Sequence, residues 1–224
     1  MANNLDLEEQ EQLDSLKHFW RQYGNLISWG LILVMASFAG WNAYQYWQRS
    51  QAAQAAAMFD EVERMVITGD MVKIERAFTD MKEKFSGTSY AQQAGLMVAK
   101  VYLDTGKPAD AKSALVWVSE KSSDEGYQAV AKLRLVGLLF ESKSFDEALK
   151  LLSSPFPEEF KALVYDRRGD VYLAQGKRTE ALQEYLAAAK LMDEQTQYRR
   201  LLDVKLASLG ANPKQAASST EGAK

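Results

Sequence analysis

Between Arg21 and Arg49 the chain runs for 27 residues without a charged side chain, and "NLISWGLILVMASFAGWNAYQYW" (residues 25–47) fills most of that run. No other feature restricts the fold so strongly. At about 1.5 Å rise per residue, roughly 20 residues of helix cross a hydrocarbon core about 30 Å thick. A soluble core helix carries a polar stripe at the helical period. From Ile27 to Ala39 only Ser28 and Ser37 are polar, and both can bond back to their own helix. Trp20 and Tyr23 stand at one end, and Trp41, Tyr44, Tyr46 and Trp47 at the other, like aromatic belts at two membrane interfaces. A cleaved export signal competes, because "SFAG" at 37–40 puts small residues where a peptidase could cut after Ala39. The lead-in is acidic, however (Asp6, Glu8, Glu9, Glu11 and Asp14 against Lys17 and Arg21), whereas signals begin with positive charge.

The expectation is a retained transmembrane helix over residues 24–47. Lys17 and Arg21 on one flank, against Arg49 alone on the other, place a cytoplasmic tail with a short amphipathic helix at residues 1–23. Everything after residue 47 would then face outward. Ala36 and Gly40, like Ala39 and Ala43, are small residues four apart, a spacing that lets a second membrane helix approach closely. Small residues are common in membrane helices, so the Ala36/Gly40 contact is an expectation without a named partner.

Four prolines and thirteen glycines are few for 224 residues, and helix is favoured over a turn-rich β architecture. From Arg49 onward the basic and acidic residues balance, so no basic field exists to attract nucleic acid. With no cysteine and one histidine, His18, the chain lacks ligands for a zinc site or haem attachment, thiols for a disulfide scaffold and the parts of a hydrolytic triad.

Past Trp47, strong helix formers continue without a breaker to Thr68-Gly69-Asp70, as one long helix. Breakers then recur at Ser86-Gly87, Gly106-Lys107-Pro108, Ser122-Ser123-Asp124, Ser142-Lys143-Ser144, Pro155 to Pro157 and Gly176-Lys177. Between them apolar residues recur at i, i+3, i+4 and i+7, and the fold class is all-α. Three windows align without gaps: "YLDTGKPADA" (102–111), "LFESKSFDEA" (139–148) and "YLAQGKRTEA" (172–181). Their alanines Ala111, Ala148 and Ala181 are spaced by 37 and 33 residues. A helix–turn–helix unit with a period near 34 is the tetratricopeptide repeat, and such units stack into an α-solenoid. The third copy fits best, with Tyr165, Gly169, Tyr172, Gly176, Ala181, Tyr185 and Ala188 in consensus order. The first keeps Ala99, Tyr102, Gly106, Ala111 and Leu115. The middle copy has Val136 where a small residue is expected, and "SSPFPEEF" shortens its second helix. The organisation expected after the span is a helical extension with a degenerate repeat (48–87), a repeat domain (88–209) and a disordered tail (210–224). The last helix, with the stripe Tyr198, Leu201, Leu202, Leu206 and Leu209, would cap the stack.

"AQGKRTE" has the wrong glycine spacing for a phosphate loop and reads as the repeat's turn. Acid pairs such as Asp124-Glu125 and Glu158-Glu159 suit helix N-termini. No catalytic constellation and no cofactor site emerge, and the chain reads as non-enzymatic. Binding is the better prospect. The repeat register projects Gln93, Leu96, Lys100 and Leu103, then Val130, Leu133, Gly137 and Phe140, then Leu163, Asp166, Asp170 and Leu173 onto the concave face. Such a groove suits an apolar helix or an unfolded segment, although several of these leucines serve equally well as core.

The run "EEQEQLDSLKHFWRQYG", with Leu16, Lys17, Phe19 and Trp20, the span, and the Gly40-Trp41 exit in "GWNAYQYW" resemble the ancillary SecYEG translocon subunit family of bacterial inner membranes. The resemblance covers the chain as an architecture. It implies a periplasmic tetratricopeptide-like domain, association with a SecYEG-type translocon, and a membrane-anchored periplasmic chaperone of the prolyl-isomerase type as partner. The expected function is recruitment of that chaperone and assistance to unfolded exported proteins. An independent holdase, or a scaffold for another cell-envelope complex, are the alternatives.

Overall fold

Gly69 (φ 72°) ends the first helix and Asp70 starts the second, its side chain accepting from the Lys73 N–H at 3.2 Å. This cap joins α1 (Leu7–Thr68) to α2 (Met71–Phe85). The computed structural model describes residues 7–193 and 195–211. Among them follow α3 (Ser89–Asp104), α4 (Pro108–Lys121), α5 (Glu125–Glu141), α6 (Phe145–Leu152), a 3₁₀ turn at Glu158–Phe160, α7 (Lys161–Ala174), α8 (Arg178–Leu191) and α9 (Gln197–Ser208). Most of the tail expected at 210–224 lies outside the described residues, as does the start of the expected N-terminal tail.

The chain forms two units, one ending at Ala53 and one beginning at Gln54. In the first, α1 carries Trp20, Leu26, Trp29, Ile32, Val34, Phe38 and Trp41 exposed. This is the one helix among the described residues long and apolar enough to cross a membrane. Ser37 Oγ donates to the Leu33 carbonyl at 2.8 Å, so a polar residue in an apolar run is satisfied within its own helix.

In the second unit, α3–α4, α5–α6 and α7–α8 are packed helix pairs, and α9 packs on α8. Ala55 and Val62 of α1, with Ile74, Phe78 and Met81 of α2, share one buried cluster with α3 and α4. Three turns within the pairs are built identically. The N–H groups of Lys107, Ser144 and Lys177 donate to the carbonyls of Tyr102, Leu139 and Tyr172 at 2.7, 2.8 and 2.9 Å. Each is the six-to-one bond of a Schellman motif, which needs a residue in the left-handed region just past the helix. Gly106 (φ 72°) and Gly176 (φ 77°) supply it in two copies, and Lys143 (φ 59°) in the third. The fourth instance was not foreseen. Ala211 N donates to the Leu206 carbonyl at 3.1 Å, with Gly210 at φ 85°. Leu206 stands 34 residues after Tyr172, so α9 ends as the first helix of a repeat ends.

Close packing inside each pair follows a size rule. At Gly169 an added Cβ would lie 2.5 Å from the Tyr185 ring, so the glycine is what lets that ring in. The corresponding residues are Ala99 with Leu115 and Val136 with Leu152, all buried. A valine at the nominally small position is therefore accommodated, because the facing residue is a leucine rather than a tyrosine. Gly95 is a further close approach that the repeat pattern does not flag, 2.5 Å from Val118 by the same measure.

Candidate interaction surface of the repeats

The residues expected on the concave face divide into exposed and sealed. Lys100, Leu103, Gly137 and Phe140 are exposed, on the C-terminal halves of α3 and α5. Leu103 and Phe140 follow Tyr102 and Leu139, so they occupy one position in successive repeats, with 38% and 37% of their surface accessible. Lys100 pairs with Asp104 of its own helix at 2.9 Å and leaves the apolar residues uncrowded by unpaired charge. The Phe140 ring meets Phe145 edge-on, with centroids 5.7 Å apart, which holds it against the base of α6.

Other expected groove residues are bound up in packing. Leu96 is buried in the first cluster, and its carbonyl accepts from Arg134 Nη1 at 2.8 Å. Gln93 Nε2 donates to Tyr127 Oη at 2.8 Å, so these two bonds tie α3 to α5. Val130 packs on the first cluster, Leu133 on the second and Leu173 on the third, each half-buried, as Leu163 is.

The two aspartates depart furthest from expectation. Asp166 is fully buried, and its carboxylate accepts from Tyr198 Oη at 2.6 Å and from Lys205 Nζ at 2.8 Å. Asp170 accepts from the same Lys205 at 2.6 Å and from Tyr185 Oη at 2.7 Å. One ammonium thus bridges two carboxylates while two phenols occupy further lone pairs. Burial, and then hydrogen bonding to the carboxylates, push both tyrosine hydroxyls well above their ordinary range. The pair therefore offers no open recognition site. It binds α9 to α7, and removing the cation would leave buried carboxylate charge uncompensated, a loss of about 3–5 kcal/mol. Tyr198 and Lys205 escaped the sequence reading because Tyr198 fits the apolar stripe of α9. The available signal was the polar pair at i, i+7 facing acids at i, i+4 on α7.

Where α4, α5 and α6 meet, an open cleft of about 460 Å³ is lined by Pro108, Lys112, Leu138, Leu139 and Glu147. Lys112 and Glu147 stand 3.7 Å apart there with both side chains largely exposed, so the pair adds little stability. The cleft lies between the first repeat, which supplies Pro108 and Lys112, and the middle one, whose turn after Phe140 forms its other wall. Asp124 caps α5 by accepting from Gly126 N at 2.8 Å and Tyr127 N at 3.1 Å, as expected of the acid pair it begins.

The family described as tetratricopeptide repeat-like domain matches residues 17–211. Three proteins called ancillary SecYEG translocon subunit are similar to this chain. That of Neisseria gonorrhoeae is 34% identical over 204 residues, 91% of this chain and 98% of that protein. The Escherichia coli protein is 28% identical over 185 residues, covering 81% of this chain and 87% of its own length. The Haemophilus influenzae protein is 29% identical over 175 residues, or 78% and 85%.

Proposed function

Because the chain belongs to the ancillary SecYEG translocon subunit family, we propose that it is a non-enzymatic membrane protein that accompanies a SecYEG-type translocon. Residues 24–47 anchor it, with the N-terminus in the cytoplasm and the repeats in the periplasm. The repeats recruit a membrane-anchored chaperone of the prolyl-isomerase type and assist exported chains in transit. The carrying observation is that Leu103 and Phe140 are both exposed at the same position of successive repeats, on the face the repeat register assigns to the groove. Exposed large apolar side chains held on rigid helices are the anchors that a partner helix or an unfolded segment uses.

Affinity capture of the full chain from gently solubilised native membranes tests this reading. Translocon and chaperone components should co-purify, and Leu103→Asp with Phe140→Asp should remove the chaperone while leaving the fold intact. Recovery of the chain without either component would overturn the proposal. Protease should digest residues 48–224 in spheroplasts, and resistance there would overturn the orientation. The same exposed pair supports a second reading, direct binding of unfolded clients. Suppression of a model substrate's aggregation, lost in the double variant, would favour it over scaffolding alone.

A further inference from the structure

Glycine weakens a helix interior relative to alanine, so each glycine inside the repeat helices needs a compensating reason. Gly95 and Gly169 have one, because a β-carbon on either would lie 2.5 Å from Val118 or Tyr185. Gly126 sits in the first turn of α5, against the capping oxygen of Asp124. Gly137 has no such reason. It lies inside α5, it is exposed, and nothing stands within 4 Å of a β-carbon built there. Alanine would fit and would strengthen the helix.

The third repeat shows what this glycine displaces. Arg167 and Asp170 stand 33 residues after Arg134 and Gly137. On α7 the Arg167 guanidinium pairs with Asp170, three residues on, at 3.3 Å. On α5 the matching Arg134 meets glycine at that spacing and has no carboxylate. Its Nη1 donates to the Leu96 carbonyl at 2.8 Å, which holds the guanidinium against α3 without neutralising it. Glu141 is seven residues on, about 10 Å further along the helix. Among the described residues neither Arg134 nor Glu141 forms a salt bridge. Lys100 on α3, by contrast, is spent on Asp104. Gly137 therefore leaves both a gap and an unneutralised cation, three residues before the exposed Phe140.

We infer that this gap receives an acidic side chain of a partner protein. The carboxylate of an aspartate or glutamate in an extended segment sits over Gly137 and pairs with Arg134, as Asp170 pairs with Arg167. Apolar residues on either side of it rest on Phe140 and Leu103. Charge complementarity selects this occupant: a purely apolar segment would leave the guanidinium unpaired, and its planar fork of donors matches a carboxylate. Side chains two apart in an extended chain share a face at about 7 Å, so the pattern recognised is apolar-x-acidic-x-apolar. The inference rests on the docking surface proposed above and adds which segment that surface selects.

The test titrates the full chain in lipid nanodiscs with an end-blocked fluorescent peptide, Ser-Leu-Ser-Glu-Ser-Leu-Ser, and with its glutamine counterpart, using empty nanodiscs as the blank. Fluorescence anisotropy should show the glutamate peptide binding several-fold more tightly. Arg134→Gln should erase that preference. Gly137→Asp, which restores the third repeat's internal pair, should erase it too, with the melting temperature unchanged or higher. Gly137→Ala should raise the melting temperature and weaken the glutamate peptide several-fold. A preference that survives Arg134→Gln or Gly137→Asp would overturn the inference, as would tighter binding of the glutamine peptide with a free terminal carboxylate. Equal binding of the two end-blocked peptides, lost in the Leu103→Asp, Phe140→Asp double variant, would overturn the inference and keep the docking surface. Binding that survives the double variant would overturn both.

Discussion

The middle and third repeats begin from the same turn and end differently. In the third, α7 and α8 are 14 residues each, Tyr185 fills the space left by Gly169, and α9 is tied down by Lys205. In the middle repeat, Val136 meets Leu152, and α6 stops at that leucine after eight residues. The following "SSPFP" cannot continue a helix, because Pro155 and Pro157 lack the N–H groups it needs. The difference shows that a repeat can keep its buried contact by exchanging size between facing residues and still lose the length that would cover its neighbours. The space beyond the short helix is bordered by Glu125, Gln128, Pro155 and Phe156, while Phe140 and the cleft beside Glu147 lie at the opposite end of the pair, next to its turn.

Several changes would break or sharpen that contrast. Lys205→Met should have the largest effect, weakening the third repeat by about 3 kcal/mol because Asp166 stays buried without its cation. Hydrogen exchange should then speed up over α9 and leave α5 unchanged, and adding Asp166→Asn and Asp170→Asn should restore most of the protection. Gly169→Val forces the β-carbon into the Tyr185 ring and should cost about 1–3 kcal/mol in denaturant unfolding. Combining it with Tyr185→Leu transplants the middle repeat's pair, so the two changes together should cost less than their sum. Full additivity would refute the size rule.

Alkaline titration separates the two repeats by chemistry. The folded Tyr185 and Tyr198 hold their protons above the ordinary value of 10.0, so their stabilisation is complete below that pH. It is lost as the pH rises through the higher folded values, because the unfolded chain gives up those protons first. Near-ultraviolet monitoring should show the third repeat loosening in base, and Tyr198→Phe should flatten the response. The smallest effect is expected at Lys143, a left-handed residue where two sister turns have glycine. Lys143→Gly should raise stability by up to about 1 kcal/mol, and Gly176→Ala should lower it by a similar amount. Thermal melts of the two variants check the opposite signs.

Much of this architecture could be read from local signals. The break at Gly69-Asp70, the three matched turns and the short α6 follow from glycine, proline and capping residues acting within a few positions of themselves. The buried alanines at 111, 148 and 181 follow from the period, and so does the exposed pair Leu103 and Phe140. Leu96, Asp166 and Asp170 did not, because the repeat register tells which way a residue points but not what else arrives there. Lys205 reaches Asp166 across 39 residues of chain, and no local pattern encodes that meeting. The amino-acid sequence by itself determined the helices, their ends, the uncharged span and the repeating unit, since these depend on propensity, capping and periodicity. Only the tertiary structure decided which of the inward-facing residues are spent on holding the stack together and which are left open, since burial and ion pairing are properties of helices packed against one another.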